Sequence, residues 1–557
     1  MNKRFGRESL APAPVREDRV DVPQHGTEKS KIEMQNRREF LGLTLAALAA
    51  ECTVSSARPS AWINDTAAST TANVLGENVP RLPLEKPLDW PAMANAFHAY
   101  VADPSHGIGR PRPDGTQYFI SALEGKNDGG LTTFGPLVLG SILRGENVSQ
   151  VAPSLAAYFS EAEGVFLDGP GADLCEYWYM MNVNALAFGI IRTHFAGSPE
   201  WKSKMRRSAD RLIQMAHQLH YDFNDQGYDF KKEAAFTHQD IYRQPDTIGG
   251  YAYVMLFAWE VLRDAKYRDE AREGMQRYLA FAKNPWYEVP SGAMAVLAAA
   301  RLSAEGADVD VAKALRFLFD DTVGLMRAGQ WGGKEVNALM AGFSTEPPDQ
   351  AYSMESMVVL PYLLPVVRYR PEFAAQIGRY TLNVAANMRW FFPEYLPKEN
   401  QSRPDLPAII PYERLSLTEK GKTPYATGDF DGHRSIYGGA YILWLGELIR
   451  PTADPFLLKL DVSKSDFLDE KSYPTFLYYN PQALAKSISL DVGHAPADLY
   501  DLQTQRIVSH SIVGKTEIRV PPGEARVLVQ MPSGLKRTVA NGVVRFGDIP
   551  VDYRTTP

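Results

Sequence analysis

The loop at 424–434 has the highest density of side chains that can do chemistry. Asp429, Asp431 and His433 alternate there within the turn GDFDGH. The flanking glycines let such a turn present a carboxylate to a ligand as a base or nucleophile, and a nearby histidine can tune its charge. Acids in turns more often bond their own backbone, so a purely structural role is the alternative for both aspartates.

A carboxylate pair needs a second acid from elsewhere in the chain, with a different environment. The best candidates lie a few residues before apolar helical segments: Asp240, Asp349 and Glu346. Candidate ligand-binding residues are the aromatic and basic side chains of the long loops. They are Trp331, Trp390, Tyr412, Tyr425, His238, Tyr242, Arg243, Arg434 and Tyr437. A core ring or core histidine is the structural alternative for each of these.

The elements that must position these loops are helical. Apolar residues recur at helical spacing in about twelve segments between 88 and 450. The predicted segments are 90–102, 132–145, 151–163, 175–195, 200–219, 247–264, 267–283, 291–303, 309–327, 353–368, 371–389 and 435–449.

Helices that follow long loops differ in composition from helices that follow short ones. GGYAYVMLFAWEVL is apolar all round, whereas EWKSKMRRSADRLIQMAHQL is half charged. An all-apolar helix is buried and a helix with a polar face lies outside, so inner and outer helices should alternate. The fold class predicted is mainly α, an (α/α)6 toroid over residues 88–452 with its long loops at one end. A site belongs at that end.

The chain changes character after Arg450-Pro451. Short β-rich runs such as FLLKLDV, TFLYYN and ARVLVQM are separated by Gly, Pro and Asn. Seven such runs in about 100 residues are typical of a β-sandwich. Residues 453–557 are therefore predicted to form a small C-terminal β domain that packs beside the toroid.

The alternating helix pairs, the acid-rich loops and the strands YPTFLYYNP and VPPGEARVLVQMP together resemble the (α/α)6 glycoside hydrolases and, less closely, the toroid polysaccharide lyases. The resemblance covers 88–557 and implies a carbohydrate substrate. A hydrolase would use two carboxyls, with Asp431 as base or nucleophile, Asp349 or Asp240 as acid, and Trp331, Trp390, Tyr412 and Tyr425 as sugar platforms.

Two alternatives remain open. A lyase would neutralise a uronate and remove a proton with histidine or tyrosine. Either His238 with Tyr242 and Arg243, or His433 with Arg434 and Tyr437, would suit that role. A non-catalytic glycan-binding protein, or a toroid enzyme with a non-sugar substrate, would keep the aromatic residues without needing the acids.

Composition excludes other classes. The net charge is −7 and no basic stripe, P-loop or zinc-finger spacing is present, so no nucleic-acid partner is expected. No cofactor motif occurs, and GDFDGH lacks the remaining ligands of an EF-hand, so no metal is predicted. Of two cysteines, Cys175 is expected to be buried and structural.

The N-terminal region predicts export. Residues 36–41, NRREFL, resemble a twin-arginine signal, and a short apolar run follows up to Ala50. That run is too short for a stable membrane anchor. The predictions are a polar extension and signal peptide over 1–57 with cleavage after Ala57, a linker over 58–87, and a periplasmic or secreted protein.

Overall fold

The computed structural model describes residues 73–76, 79–125, 127–320, 325–331, 334–344, 350–396, 401, 403, 405–416, 433–469 and 471–554. The predicted signal peptide lies outside these residues, so export stays a prediction. Within the described residues, no helix is both long enough and apolar enough to cross a membrane.

The α-helices of the described residues are α1 (Trp90–Ala102), α2 (Gly130–Leu143), α3 (Tyr177–Thr193), α4 (Pro199–Gln218), α5 (Thr247–Leu262), α6 (Ala265–Ala280), α7 (Val289–Ala304), α8 (Val311–Leu318), α9 (Ser353–Leu363), α10 (Val366–Tyr369), α11 (Ala374–Asn387), α12 (Ile436–Gly439) and α13 (Ile442–Leu448).

Six helical units form a closed inner ring in the described part of the chain. The units α2, α3, α5, α7, α9 and the broken helix α12–α13 each contact the next, and α13 returns to α2. The outer layer packs against this ring and consists of α1, a 3₁₀ helix at Ala152–Tyr158, α4, α6, α8 and α11. The predicted (α/α)6 toroid is therefore confirmed.

Composition explains which helix is inside. Helix α5 is buried along nearly its whole length, whereas α4 buries one stripe that includes Trp201, Met205 and Leu212. Glycine permits close contact between inner helices. A Cβ on Gly249 of α5 would lie only 2.6 Å from Ala295 Cβ of α7. The ring is thus a packed core whose contacts depend on small residues.

Two outer segments differ from their predictions. The segment predicted as a helix over 151–163 is a short 3₁₀ helix that begins beside Pro153 and gives way to a strand at Phe159. The helix predicted over 309–327 ends at Leu318, and Met326 begins a strand. In both cases the apolar spacing predicts a helix, whereas tertiary pairing produces a strand.

The long loops contain short antiparallel strands. These are β1 (Gly109–Pro111), β2 (Gln117–Phe119), β3 (Phe159–Ser160), β4 (Val165–Phe166), β5 (Leu174–Glu176), β6 (Gly227–Asp229), β7 (Ala234–Phe236), β8 (Met326–Trp331), β9 (Lys334–Met340), β10 (Gln350–Tyr352) and β11 (Arg414–Ser416). Strands β11, β10, β9 and β8 form a four-stranded sheet in that order. Strands β5, β6 and β7 form a separate three-stranded sheet. The loops are therefore ordered by hydrogen bonds where the structure describes them.

The C-terminal strands are β12 (Ile449–Arg450), β13 (Lys459–Asp461), β14 (Thr475–Tyr479), β15 (Lys486–Asp491), β16 (Ala497–Asp501), β17 (Arg506–Ile512), β18 (Lys515–Val520), β19 (Ala525–Pro532), β20 (Arg537–Ala540), β21 (Val543–Phe546) and β22 (Ile549–Asp552). A six-stranded sheet has the order β12-β13-β14-β19-β16-β17. The two-stranded antiparallel sheet β15–β18 shares a separate apolar cluster with it, around Tyr478, Ile488 and Leu499. The predicted β-sandwich-like module is present.

This sheet is continuous with the toroid. Strand β12 follows α13 directly, so pairing with β13 begins at Ile449, a few residues before the predicted boundary at 453. Helix α11 packs on β14 and β19. The toroid and the C-terminal strands belong to one compact unit.

Candidate active site

Inner helices begin at the end of the toroid where the long loops lie. Five polar side chains from different elements come together there: Tyr179, Glu288, Glu355, Glu413 and Tyr437. We call this group the mouth cluster.

Each member lies at the start of an inner helix or, in the case of Glu413, is hydrogen-bonded to one. Glu288 immediately precedes α7, and Glu355 lies in the first turn of α9. Tyr179 lies in the first turn of α3 and Tyr437 in α12. The three glutamates come from three separate chain segments, so tertiary structure alone brings them together.

Glu413 is attached to the start of α9 through its backbone. Its carbonyl accepts hydrogen bonds from the backbone N–H of Ser353 at 2.9 Å and from Ser353 Oγ at 3.1 Å. The backbone N–H of Glu413 donates to the carbonyl of His433 at 3.1 Å. Glu413 therefore lies between α9 and the residues that lead into α12.

The Tyr437 phenol is the centre of the cluster. Its pKa is raised well above the usual value, mainly by burial, then by the Tyr179 phenol and the carboxylates of Glu355, Glu288 and Glu413. The three glutamates are only 4%, 3% and 7% exposed in the order Glu288, Glu355, Glu413, whereas Tyr437 keeps partial solvent contact. The phenol thus stays protonated at neutral pH and can donate a hydrogen bond into the mouth.

Asp246 lies beside the cluster and is fully buried. Its Oδ2 accepts a hydrogen bond from the backbone N–H of Glu288 at 3.1 Å. Burial raises the pKa of this carboxyl to about 7, although backbone donors partly offset the shift. Asp246 therefore joins the beginning of α5 to that of α7.

Glu176, just before α3, is oriented by two side-chain amides. Gln226 Nε2 and Gln244 Nε2 each donate to its carboxylate at 3.0 Å. Gln244 also accepts from the backbone N–H of Trp178 at 2.9 Å. A buried amide network of this kind fixes the wall of the mouth next to Tyr179.

The interior of the ring below the mouth is filled by tyrosines. The carboxylate of Glu355 also raises the pKa of Tyr441, one turn further along the last inner helix, after burial and the Tyr362 phenol. The rings of Tyr253 and Tyr362 meet edge to face, with centroids 5.3 Å apart. Tyr253, Tyr362 and Tyr441 are all buried in the interior of the toroid.

Five predicted site residues lie outside the described residues: Asp429, Asp431, Tyr425, Glu346 and Asp349. The described ends of their segments can be placed. Glu413 and His433 flank one segment and are hydrogen-bonded to each other, and Ser344, which precedes the other, donates to the Tyr287 carbonyl at 3.0 Å. The proposed roles of these residues stay predictions.

A second group of predicted residues lies around 238–243. The Asp240 carboxylate is 88% exposed and accepts from Arg243 at 3.0 Å, and Arg243 also pairs with Asp225 at 3.2 Å. Tyr242 is buried, and the ring of His238 lies 5.3 Å from that of Phe236. The contacts described for Asp240, Arg243 and His238 are with neighbouring loop residues, and the role of Asp240 as catalytic acid stays a prediction.

Three predicted ligand-binding residues are part of the protein interior. Arg434 is fully buried and donates to the carbonyls of Pro407 at 2.8 Å and Ile410 at 2.9 Å, with its guanidinium 4.6 Å from the centre of the Tyr412 ring. Tyr412 and Trp390 are also buried. Because these rings are buried, they pack against protein groups and present no open face for stacking. They instead help to hold the loop around 403–416.

The remaining predictions concern His433 and Trp331. Burial lowers the pKa of His433, and Glu124 partly offsets this, so the ring is neutral at pH 7. Trp331 ends strand β8, and its side chain is outside the description. Tyr437 is the predicted residue that the structure brings into the mouth cluster.

Sequence reasoning missed Glu288, Glu355 and Tyr179 as site residues. The predicted acids all lie in loops, whereas these residues lie at the starts of inner helices. A signal was available in SMESMVVL, where one glutamate interrupts an apolar inner helix. A charge in such a helix is costly unless it faces a cavity or a partner.

Among the described residues, no group of three or more His, Cys, Asp or Glu side chains is arranged to hold a metal ion. The mouth cluster consists of carboxyl and phenol groups. Such groups can donate, accept and transfer protons.

Comparisons with known proteins give structural likeness alone. No family model matches the chain, and no curated protein sequence is significantly similar to it. Among solved structures, a sugar epimerase from a ruminal bacterium is 7% identical, with a TM-score of 0.44 over 64% of this chain and 98% of that one.

Two glycoside hydrolases are also similar in structure. A family 76 enzyme from a bovine Bacteroides thetaiotaomicron strain is 10% identical, with a TM-score of 0.42 over 65% of this chain and 77% of that one. A family 127 β-L-arabinofuranosidase from Geobacillus stearothermophilus is 12% identical, with a TM-score of 0.32 over 83% and 80%. Likeness at this level carries no argument about activity.

Proposed function

We propose that this protein is a glycoside hydrolase that cleaves a polysaccharide or oligosaccharide with a pair of carboxyl groups. The supporting observation is the convergence of Glu288, Glu355 and Glu413 on the Tyr437 phenol at the start of the inner helices. Glycoside hydrolysis needs one carboxyl to protonate the leaving oxygen and a second to activate water or attack the sugar.

Glu288 and Glu355 are the preferred pair. They project from the starts of α7 and α9, which are neighbours in the ring. Carboxyls at the starts of two neighbouring inner helices can flank one glycosidic bond, as hydrolysis requires. Glu413 enters from the loop side and is suited to bind sugar hydroxyls or to support one member of the pair.

Asp431 remains a candidate base or nucleophile from the loop side. The described residues on either side of its segment end at Ser416 and resume at His433, and the backbone N–H of Glu413 donates to the His433 carbonyl. The Asp431→Asn variant is therefore tested alongside the mouth variants, and full turnover by that variant would remove it from the mechanism.

The charge of the mouth favours hydrolysis over lyase chemistry. A uronate-cleaving lyase must neutralise a substrate carboxylate before proton abstraction. After burial, the groups that raise the pKa of Tyr437 most are a phenol and three carboxyls, and ionised carboxyls would repel a uronate. The raised pKa of Tyr437 also disfavours its use as a base.

The test uses the purified protein with a panel of neutral and uronate-containing glycans. New reducing ends without ultraviolet absorbance of an unsaturated uronate are the expected result. Reducing ends together with that absorbance would instead identify a lyase. Binding without either signal would identify a glycan-binding protein, and no interaction with any glycan would favour a non-sugar substrate.

The proposal includes action outside the cytoplasm, based on Arg37 and Arg38 in the N-terminal segment. Replacement of both by lysine is expected to retain the protein in the cytoplasmic fraction, whereas the unchanged protein is expected in the periplasm or medium. Equal distribution of the two forms after cell fractionation would refute export by this route.

A further inference from the structure

Asp246 makes an unusual contact for a residue at a helix start. An ordinary N-cap aspartate accepts a hydrogen bond from an amide in the first turn of its own helix. Asp246 makes no such side-chain bond to α5 and has αR backbone angles, φ −67° and ψ −17°. Its Oδ2 instead accepts from the backbone N–H of Glu288, 42 positions further along the chain.

The residue that receives this bond belongs to the mouth cluster. Glu288 is the N-cap residue of α7 and makes no side-chain cap of its own. Its backbone also forms an isolated bridge with Phe343. The backbone of Glu288 is therefore held from two sides, and the side chain that projects from it acts on Tyr437.

Burial makes the carboxyl of Asp246 costly for the folded state. Asp246 is 0% exposed, and its Oδ1 has no hydrogen-bond partner within the described residues. A buried carboxyl with one oxygen unsatisfied costs folding free energy. Asparagine would accept the same backbone bond without the charge, so the carboxyl is an expensive choice for a purely structural tie.

We infer that Asp246 is a positioning residue for the proposed hydrolysis, which holds the start of α7 so that Glu288 points into the mouth. The inference rests on the proposed function. It adds a residue outside the mouth that acts on the reaction through Glu288.

Several titratable groups lie on the elements around Asp246 in the described structure. They are Glu176 before α3, His220 after α4, Arg277 and Tyr278 on α6, and Tyr287 and Glu288 before α7. Of these groups, His220 and Arg277 can carry a positive charge, and both are exposed. The state of Asp246 is thus governed by burial and by backbone donors.

Ionisation of Asp246 should affect turnover. An ionised carboxylate accepts a stronger hydrogen bond than a neutral acid, and the pKa of Asp246 is about 7. The turnover number kcat is therefore expected to rise as pH increases through about 7. The Asp246→Asn variant should lack this rise.

The kinetic test compares Asp246→Asn and Asp246→Ala with the unchanged protein on a substrate from the glycan panel. A misplaced catalytic group can cost about a hundredfold in rate. We expect kcat to fall about tenfold in Asp246→Asn and about a hundredfold in Asp246→Ala, with KM within about twofold. The control is Asp310→Asn, an N-cap that bonds its own helix α8 at Lys313 and should keep kcat.

Amide hydrogen exchange provides a readout that needs no activity. Peptides that contain Glu288 should exchange faster in Asp246→Ala than in the unchanged protein, and Asp310→Asn should leave them unchanged. Unaltered exchange, or unaltered kcat and pH profile in a folded variant, would overturn the inference. An unchanged protein inactive on every glycan would count against the proposed function, while the exchange result would still decide whether Asp246 holds Glu288.

Discussion

At the scale of single residues, the mouth cluster gives three carboxyls different surroundings. Glu288 and Glu355 begin neighbouring inner helices, and Glu413 faces them from a loop. Differences in surroundings allow one carboxyl to stay protonated while another is ionised, which acid and base roles require.

The first prediction concerns the carboxyl pair. Glu288→Gln and Glu355→Gln should each lower kcat about a thousandfold, because glutamine can neither donate nor take up a proton. Initial rates on the best substrate of the panel measure this. The control is Glu260→Gln, a buried glutamate near the other end of α5 that pairs with Arg301 at 2.6 Å and Arg263 at 2.8 Å. It should lose stability and keep kcat per folded molecule, and a mouth variant with normal kcat would exclude that residue from the pair.

The second prediction concerns Tyr437. Its raised pKa keeps the phenol protonated, so that it can donate a hydrogen bond. Tyr437→Phe should therefore lower kcat by about ten- to a hundredfold, with little change in the free energy of unfolding. The pH–rate profile should keep its shape, because the phenol does not titrate in the working range. A loss greater than about a thousandfold, with a lost basic limb in the profile, would instead indicate a catalytic base and a lyase.

At the scale of elements, the mouth exists because inner helices approach closely at their starts. The α5–α7 contact lacks room for a side chain at Gly249. The carboxyl of Asp246 then links the same two helices through the Glu288 amide. Close packing and one hydrogen bond together fix the direction of Glu288.

Gly249→Ala is predicted to destabilise the protein. The added Cβ would lie 2.6 Å from Ala295 Cβ and 2.9 Å from the Tyr278 ring, so α5 and α7 must separate. Overpacking of this kind costs about 1–3 kcal/mol, and a denaturant unfolding curve measures it. Gly197→Ala is the matched control, since its Cβ would meet nothing within 4 Å. Equal stability of the two variants would show that α5 and α7 have room for the added Cβ at position 249.

Stability should also depend on pH through Asp246. Its pKa is raised to about 7 in the folded protein from an ordinary 3.8. The folded state therefore binds this proton more tightly than the unfolded chain does. The contribution of Asp246 to the free energy of unfolding is fully present below about pH 4 and is lost as the pH rises to about 7. Above about pH 7 it changes no further. The loss approaches about 4 kcal/mol for a shift of this size.

The Asp246→Asn variant should lack this loss. Its free energy of unfolding relative to the unchanged protein should rise between pH 5 and pH 7.5, as measured by urea unfolding at each pH. Asp310→Asn, at an exposed N-cap, should show a constant difference over the same range. Parallel curves for Asp246→Asn would mean that the carboxyl does not titrate in this window.

At the scale of the whole molecule, a buried ion pair joins the toroid to the C-terminal strands. Arg368 of α10 pairs with Asp466 and, at 2.8 Å, with Asp469. The hydroxyl of Tyr369 donates to Asp466 at 2.6 Å. The Asp466 side chain is 0% exposed and that of Arg368 5%. The strands thus act as a structural support for the outer wall of the toroid.

Asp466→Ala is predicted to destabilise the whole unit by about 3–5 kcal/mol, because it leaves the Arg368 charge buried without its main partner. Urea unfolding followed by both tryptophan fluorescence and circular dichroism should show one shifted transition. Asp405→Ala is the control, since its pair with Arg403 is exposed and is worth at most about 1 kcal/mol. Two separate transitions would show that the toroid and the strands unfold independently.

The sequence by itself determined the architecture. The composition of each helix predicts its position, because an apolar helix such as α5 must be buried and a half-charged helix such as α4 must expose one face. The C-terminal strands followed from turn residues between β-rich runs. Tyr437 was identified because it adjoins a loop of acids, and these signals are all local in the chain.

Only the tertiary structure decided the site. Glu288, Glu355 and Glu413 are spread over more than a hundred positions of the chain and meet only when the ring closes. Asp246 has the sequence of an ordinary N-cap, yet its carboxyl bonds the next inner helix. Spacing along a chain predicts which residues share a helix face, but the neighbours of a side chain across helices depend on the packing of the whole ring.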